Sequence, residues 1–294
     1  MARFPLPACH PALPAHSCGM TADTFKDIAQ NGAAVNLSAR AKFRLTGNDR
    51  VRYLNGQVTN DVRRASAQST LYACVTDAKG RIAGDVFIHA HGESLLLDAE
   101  CDLREPLGMR LERYIVADDV ELTDVTAEWQ LWHVWGANMP QGIPSTRFGR
   151  EGVDVWQPVG TTFEPGCQVL SDEDLETWRI LQKVPRWPNE LNAETFPPEA
   201  GLEARAMDFF KGCYIGQEVL SRIKTTGKMP REMIAFETET AVIVGTEIWK
   251  DKAVGTVMSV ATHPVTGFTV GLGMVRQGAV GGDWTVSGAV LRRR

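Results

Sequence analysis

Apolar residues change their period several times along this chain, and each change predicts an element. Thr24–Gln30 has helical spacing, Ala33–Ala39 alternates like a strand, and Lys42–Leu45 forms another short apolar run. The small polar residues Thr46-Gly47-Asn48-Asp49 suit a turn and a helix N-cap, so Asp49–Asn55 is predicted helical. Leu71–Thr76 and Ile82–His89 read as two strands joined at Asp77-Ala78-Lys79-Gly80, where the glycine can supply a positive φ, and Leu95–Asp98 reads as a third. Between Asp102 and Val116, Leu103, Leu107, Leu111, Tyr114 and Ile115 fall on one helical face, with Pro106 near the first turn. Val120–Leu122 and Trp129–Val134 return to strand character. Leu175–Lys183 is helical, stopped by Pro185 and Pro188, and Gln217–Ile223 is a last helix.

From Glu232 onward the pattern is different. Short strand-like runs are separated by Gly245, Gly255, Gly267, Gly271, Gly278 and Gly281-Gly282, which is how a small all-β barrel reads. Strand pairs alternating with single helices before that point indicate an α+β class, not a doubly wound parallel sheet. The expected organisation is a flexible tail over residues 1–20, which hold four of the fifteen prolines, an α+β region over 21–230, and a β-barrel over 231–294.

Composition narrows the function classes. The 294 residues are 44% hydrophobic, enough to build the cores of two or three domains. A net charge of −5 gives no strong nucleic-acid signal, and no apolar run is long enough to cross a bilayer, so no membrane partner is expected. Six scattered cysteines in a chain this long are read as reduced thiols of a cytoplasmic protein. Cys9-His10 and His16-x-Cys18 match no closed zinc spacing, and His89 and His91 are read as structural.

The most informative stretch is Lys211-Gly212-Cys213-Tyr214-Ile215-Gly216-Gln217-Glu218. Two glycines four apart allow tight turns, and the thiol lies just before a predicted helix N-terminus and two residues after an ammonium group. Both features favour a thiolate, which would make Cys213 a nucleophile, a redox group or a soft-metal ligand. The alternative from the residues alone is a buried structural cysteine in a glycine-rich turn.

This octapeptide resembles the K-G-C-Y-x-G-Q-E motif of the YgfZ/IBA57 family of folate-binding proteins of iron–sulfur cluster assembly and repair. Tyr53-Leu54-Asn55-Gly56-Gln57-Val58-Thr59-Asn60-Asp61-Val62 is similar to the family's L-x-G-Q-V-T-N-D-V stretch, and Asp77–Arg81 to its D-x-K-G-[KR] turn. Gly255-Thr256-Val257 and Gly271–Arg276 are similar to a strand pair of its terminal barrel, so the resemblance spans about Leu45 to Arg276. It implies a three-domain ring related to the glycine cleavage T protein, an aminomethyltransferase: two interlaced α+β domains plus a C-terminal β-barrel around an opening for tetrahydrofolate or a derivative. Where that relative has an Asp-Asp pair, this chain has Gly84 and Asp85.

The resemblance implies site residues in two groups. Cys213, Lys211, Tyr214, Gln217 and Glu218 of the motif would carry any chemistry. Asn60, Asp85, Trp178, Trp187, Glu190 and Arg222 would bind the folate, whose pterin wants an aromatic face and carboxylate or amide partners and whose tail wants cations. For each tryptophan, core packing competes with this role, and for Asn60 and Asp85 so does turn or cap formation. Three functions follow as expectations. The first is a tetrahydrofolate-binding accessory factor whose partners are iron–sulfur proteins or their assembly machinery. The second is a tetrahydrofolate-dependent aminomethyl or methyl transferase, and the third is a non-catalytic interaction module on the same scaffold.

Overall fold

The structure, a computed structural model, describes residues 19–281 and 283–294. The Cys9, His10, His16 and Cys18 pattern lies outside the described residues. The chain begins with α1 (Ala22–Asn31), whose N-cap Thr21 accepts a hydrogen bond from the Thr24 amide, and continues into β1 (Gly32–Asn36). It then builds β2 (Ala41–Thr46), α2 (Arg50–Gln57), β3 (Leu71–Thr76), β4 (Ile82–His91), β5 (Ser94–Ala99), α3 (Arg104–Glu112) and β6 (Glu121–Asp124). Strands β7 (Trp129–Gly136), β8 (Ile143–Arg147) and β9 (Arg150–Pro158) follow, then α4 (Asp172–Leu181), α5 (Glu203–Ala206) and α6 (Gln217–Thr226).

The two α+β units are interlaced. β1 pairs antiparallel with β7, so the sheet β1-β7-β9-β8 closes only after the chain has made the whole sheet β3-β4-β5-β2-β6. The last unit is a closed barrel of β10 (Arg231–Thr238), β13 (Thr269–Arg276), β12 (Ala253–Thr262), β11 (Glu247–Trp249), β14 (Trp284–Val286) and β15 (Ala289–Arg293). The α+β architecture and the terminal barrel agree with the class read from the sequence.

Strand alternation sorts the five-stranded sheet into two faces. Phe43, Leu45, Ala73, Val75, Val86, Ile88, Leu95 and Leu97 turn to one side and pack with Leu54, Leu107 and Leu111 of α2 and α3. The opposite face carries Lys42, Tyr72, Asp85, Phe87, His89 and Asp98 and looks toward the four-stranded sheet. That sheet offers His133, Arg147, Asp154 and Trp156 in return. Asp98 accepts from Arg147 at 3.0 and 2.6 Å, Asp154 accepts from the same guanidinium at 2.9 and 2.8 Å, and His133 Nδ1 lies 2.9 Å from Asp154. Every one of these side chains is buried.

Some elements depart from the sequence reading. β8 and β9 carry no prediction above; they form a hairpin whose tip, Phe148-Gly149, takes positive φ at both residues (50° and 75°). α3 is shorter than Asp102–Val116: it ends at Glu112, where Arg113 and Tyr114 turn back onto Met109 and Leu111 and Ile115 reaches the core from outside the helix. Asp49 precedes α2 without capping it, because its carboxylate accepts from the Asp119 amide and from Arg52 instead. Lys183, just past the end of α4, adopts φ 59°, the left-handed conformation glycine takes without cost.

The barrel is tied down by polar contacts. Ser259 on β12 donates to Glu190 at 2.5 Å and accepts from Arg179 of α4 at 2.6 Å and from Asn189 at 3.0 Å. Arg231 on β10 reaches Glu199 at 3.2 Å. Replacing Arg147 by Ala would strand Asp98 and Asp154 as buried charges short of their main cationic partner. Chemical denaturation should show a loss of about 3–5 kcal/mol; a loss under about 1 kcal/mol would mean the contact between the sheets does not depend on it.

Candidate functional site

Between the two sheets and the segment after α4 lie three contiguous cavities. The central one is bounded by Arg40, Tyr72, Asp85, Phe87, Pro185 and Arg205, among others. Through Arg40, Phe148 and Arg186 it continues into a second cavity, and through Tyr72, Phe87 and Arg205 into a third.

Two charged groups give the central cavity its character. Asp85 is 7% exposed; its Oδ2 accepts from the Tyr72 hydroxyl at 3.1 Å, and its Oδ1 has no hydrogen-bond partner among the described residues. Burial pushes this carboxyl up to about 6, with Arg40 opposing the shift. Arg40, 8% exposed, donates from Nε to Asp98 at 2.5 Å and from Nη1 to Glu100, leaving Nη2 without a partner among the described residues. Burial alone would lower that guanidinium, but Glu100, Asp98 and Asp85 outweigh it and hold the charge in place. Lys42, fully buried, fixes the loop that carries Arg40 by donating to the Ser38 and Arg40 carbonyls at 2.7 and 2.8 Å. An aromatic wall completes the site: Tyr72 and Phe87 stack at 4.5 Å, with the Arg147 guanidinium 3.7 Å from the Phe87 centroid.

A buried carboxylate oxygen and a buried guanidinium nitrogen, both unsatisfied and beside an aromatic face, suit a flat heterocycle with donors on one edge and an acceptor on another. Among the described residues no cluster of three or more His, Cys, Asp or Glu side chains could hold a metal ion.

The eleven residues singled out from the sequence fall in several places. Asp85 lines the central cavity and Asn60 the third, where Asn60 Nδ2 donates to the Tyr72 carbonyl at 2.9 Å. Trp178 is fully buried, stacked on Trp135 at 5.9 Å, with Nε1 donating to the Phe148 carbonyl at 3.2 Å. Trp187 is half-buried between two core clusters. Glu190 is fully buried, and its carboxylate accepts from Arg179, Ser259 and the Arg186 amide. Arg222 is exposed on α6 and is not among the residues lining the three cavities.

The motif residues form a second locality. Lys211 is buried and donates its three ammonium hydrogens to the carbonyls of Asn55, Val58 and Asn60 at 2.6, 2.7 and 2.8 Å. Burial pushes its pKa down to about 8, with Asp61 and Asp208 opposing. Two motifs far apart in sequence are therefore riveted together. The Ile215 amide donates to the Gly56 carbonyl at 3.2 Å and the Thr76 hydroxyl to the Ile215 carbonyl at 2.6 Å. Gly216 (φ 87°) lies so close to the Asp77–Gly80 turn that a Cβ would sit 2.5 Å from the Asp77 carbonyl oxygen. Tyr214 is buried with Phe196, Met207 and Leu220, and Gln217 accepts from the Tyr214 amide at 3.2 Å. Glu218 and Cys213 are exposed. Cys213 sits four positions before the first residue of α6, outside the lining of the three cavities.

Arg40, Tyr72, Phe87, Arg205 and the Asp98–Arg147–Asp154 group are absent from the sequence reading. Phe87 was within reach, since it follows Asp85 by two on a strand and so shares its face. Gly84, beside Asp85, turns to the helix-covered face, where a Cβ would lie 3.0 Å from the Leu103 side chain. Only the second position of an Asp-Asp pair there can reach the cavity.

Comparison with known proteins places this geometry. A family profile described as the GCVT N-terminal domain matches residues 7–142. The iron–sulfur cluster assembly factor IBA57 homolog of Phaeosphaeria nodorum is 26% identical over 246 residues, covering 72% of this chain and 57% of that protein. The tRNA-modifying protein YgfZ of Vibrio vulnificus is 29% identical over 211 residues, covering 62% and 63%. The chain thus spans less than two thirds of the length of either relative. The crystal structure of glycine cleavage system aminomethyltransferase T from Bartonella henselae superposes with a TM-score of 0.77 at 14% identity, covering 89% of this chain and 84% of that one.

Two outcomes follow. Lys211→Met leaves three buried carbonyls without their donor and should lower stability by about 3 kcal/mol in urea titration; an unchanged midpoint would remove Lys211 as the rivet. Asp85, raised when folded, favours the fold when protonated. Its contribution is fully present below about pH 4, its unfolded value, and is lost as pH rises through about 6. The difference in stability between wild type and Asp85→Asn should therefore change across that window, and a constant difference would contradict it.

Proposed function

We propose that this chain, a member of the YgfZ/IBA57 family related to the glycine cleavage T protein, binds tetrahydrofolate or a derivative in its central cavity and serves the assembly or repair of iron–sulfur proteins. Relatives carry names for iron–sulfur cluster assembly and for tRNA modification, and the proposed partners here are iron–sulfur proteins or their assembly machinery. The observation that carries the folate reading is the pair of unsatisfied buried atoms, Asp85 Oδ1 and Arg40 Nη2, on residues that line one aromatic-walled cavity.

Asp85 would accept from the guanidine-like edge of the pterin, and Arg40 would donate to its carbonyl oxygen. Tyr72, Phe87 and Pro185 supply the apolar surround. When bound, the folate supplies a one-carbon carrier, or a site for one. The protein's own residues bind and orient it and keep water from the ring. Cys213 acts from outside that cavity: an exposed thiol on a segment anchored through Lys211 is placed to meet a partner protein. No membrane partner enters this reading, and among the described residues no helix is long and apolar enough to span one.

Titration with tetrahydrofolate followed by the fluorescence of the eight tryptophans should give saturable binding. Asp85→Asn, which cannot accept as a charge, should weaken it about tenfold or more. No saturable change in the wild type would overturn the folate reading. Cys213→Ala should leave folding and folate affinity unchanged while abolishing rescue of an iron–sulfur enzyme in cells lacking the native protein. Full rescue would remove the thiol from the function.

A further inference from the structure

The strand that lines the central cavity carries its inner face further. On β4, Asp85, Phe87, His89 and His91 alternate onto one side, so two imidazoles follow directly from the cavity wall. Trp129 of β7 and Trp156 of β9 meet them from the facing sheet. The His89 and Trp156 rings are 4.9 Å apart, those of His91 and Trp129 are 5.4 Å apart, and the two indoles lie 6.3 Å from each other. Four rings therefore gather where the two sheets face each other.

One imidazole in this group is unmatched. His89 is 1% exposed, and its Nε2 has no hydrogen-bond partner among the described residues. Such a nitrogen is costly in a packed interior. Burial pushes the ring down to about 4, so at pH 7 it is neutral and one of its nitrogens carries a free lone pair. His91, two positions on, is exposed, so the pair runs from the interior to solvent and has an entry path. The two ring centroids are 6.4 Å apart, with the planes at 83°. Two imidazoles bound in line to one ion, with metal–nitrogen bonds of about 2 Å, have their centroids about 6 Å apart.

We infer that His89 and His91 form a copper(I) site of two imidazoles, backed by the indoles of Trp129 and Trp156. The coordination number selects the metal. Indole N–H groups only donate, so neither tryptophan can ligate, and among the described residues no carboxylate or thiol completes a cluster of three. Zinc takes three or four protein ligands. A monovalent ion with a filled d shell accepts two in line, and imidazole suits copper. The indole faces add a cation–π attraction. Of the charged groups that act on His89, Asp98 and Asp154 attract a cation and Arg147 opposes it. The site uses neither the central cavity nor Cys213, and it stands apart from the folate reading.

Silver(I), a redox-inert stand-in for copper(I), tests this. The full chain, labelled with ¹⁵N in its histidine rings and with its accessible thiols alkylated, is titrated in chloride-free buffer. Two of the six histidine rings, those of His89 and His91, should shift together and saturate at one ion, with a parallel loss of tryptophan fluorescence. His91→Ala, at an exposed position, should weaken that response by about 100-fold or more, at least the loss that follows when a mere outer-shell partner is removed. His263→Ala should respond as the wild type does. Rings of His89 and His91 that stay unmoved while silver binds elsewhere, or an unchanged affinity in His91→Ala, would overturn the site. Ligation of both rings by zinc(II) but not by silver(I) would overturn the choice of metal.

Discussion

The buried contact among Asp98, Arg147 and Asp154 is the constraint on which the rest of the molecule depends. Arg147 stands on the four-stranded sheet and grips Asp98 of the five-stranded sheet and Asp154 beside it with five hydrogen bonds. Taking such charges out of water is costly, and an apolar contact of the same shape could hold two sheets together at least as well. What the ionic contact adds is direction. A guanidinium fork fits two carboxylates in one geometry, so the sheets meet at one offset and one angle. Burial would raise both carboxyls, yet the neighbouring cations lower Asp98 and hold Asp154 well below the usual carboxylate range. His133 is pushed down by burial, which makes it a neutral ring donating from Nδ1 to Asp154.

That fixed offset produces the cavity. Asp98 also accepts from Arg40, so the network that aligns the sheets ends on a guanidinium with one nitrogen left over, beside a carboxylate with one oxygen left over. Elsewhere the inner faces close on themselves, as where His89 meets Trp156 at 4.9 Å. Around Arg40 and Asp85 they do not, because Pro185, Leu202 and Arg205 arrive from the segment after α4 and roof the space without filling it. The unsatisfied atoms would be a defect in a solid core. In a cavity they are an unmet requirement for a ligand of matching polarity.

Much of the fold was legible in the chain. Strand alternation in Leu71–Thr76 and Ile82–His89, and the glycine-punctuated runs after Glu232, report on local backbone geometry, which sequence carries directly. The hairpin β8–β9 was not, because Phe148 takes a positive φ that its residue type does not announce and Pro144 interrupts the strand pattern. The site was legible as two motifs and not as one place. Lys211 reads as a charge near a thiol, yet its hydrogens go to carbonyls of Asn55, Val58 and Asn60, more than 150 positions back along the chain. Glu190 reads as a ligand for a pterin, yet its acceptors are taken by Arg179, Ser259 and a backbone amide. Arg40 and Arg205 sit in stretches with no motif, and only tertiary packing brings them to one cavity.

The distance in role between cavity and thiol limits what the chemistry can be. Arg205 lines the cavity and Cys213 lies eight residues further on, beyond a segment pinned by the Asp208 amide on the Thr59 carbonyl at 3.0 Å and by Lys211 on three carbonyls. The same segment is held further on by the close approach of Gly216 to the Asp77–Gly80 turn. Cys213 is exposed, and Phe210, three positions before it, has a fully exposed side chain as well. A thiol and an aromatic ring are thus both presented to solvent on an anchored segment. Cavity and thiol are then two ends of one interlocked segment, one lined by buried polar atoms and the other exposed. They are joined by the backbone from Arg205 to Cys213 and by Lys211, which donates to the carbonyl of Asn60 in the wall of the third cavity.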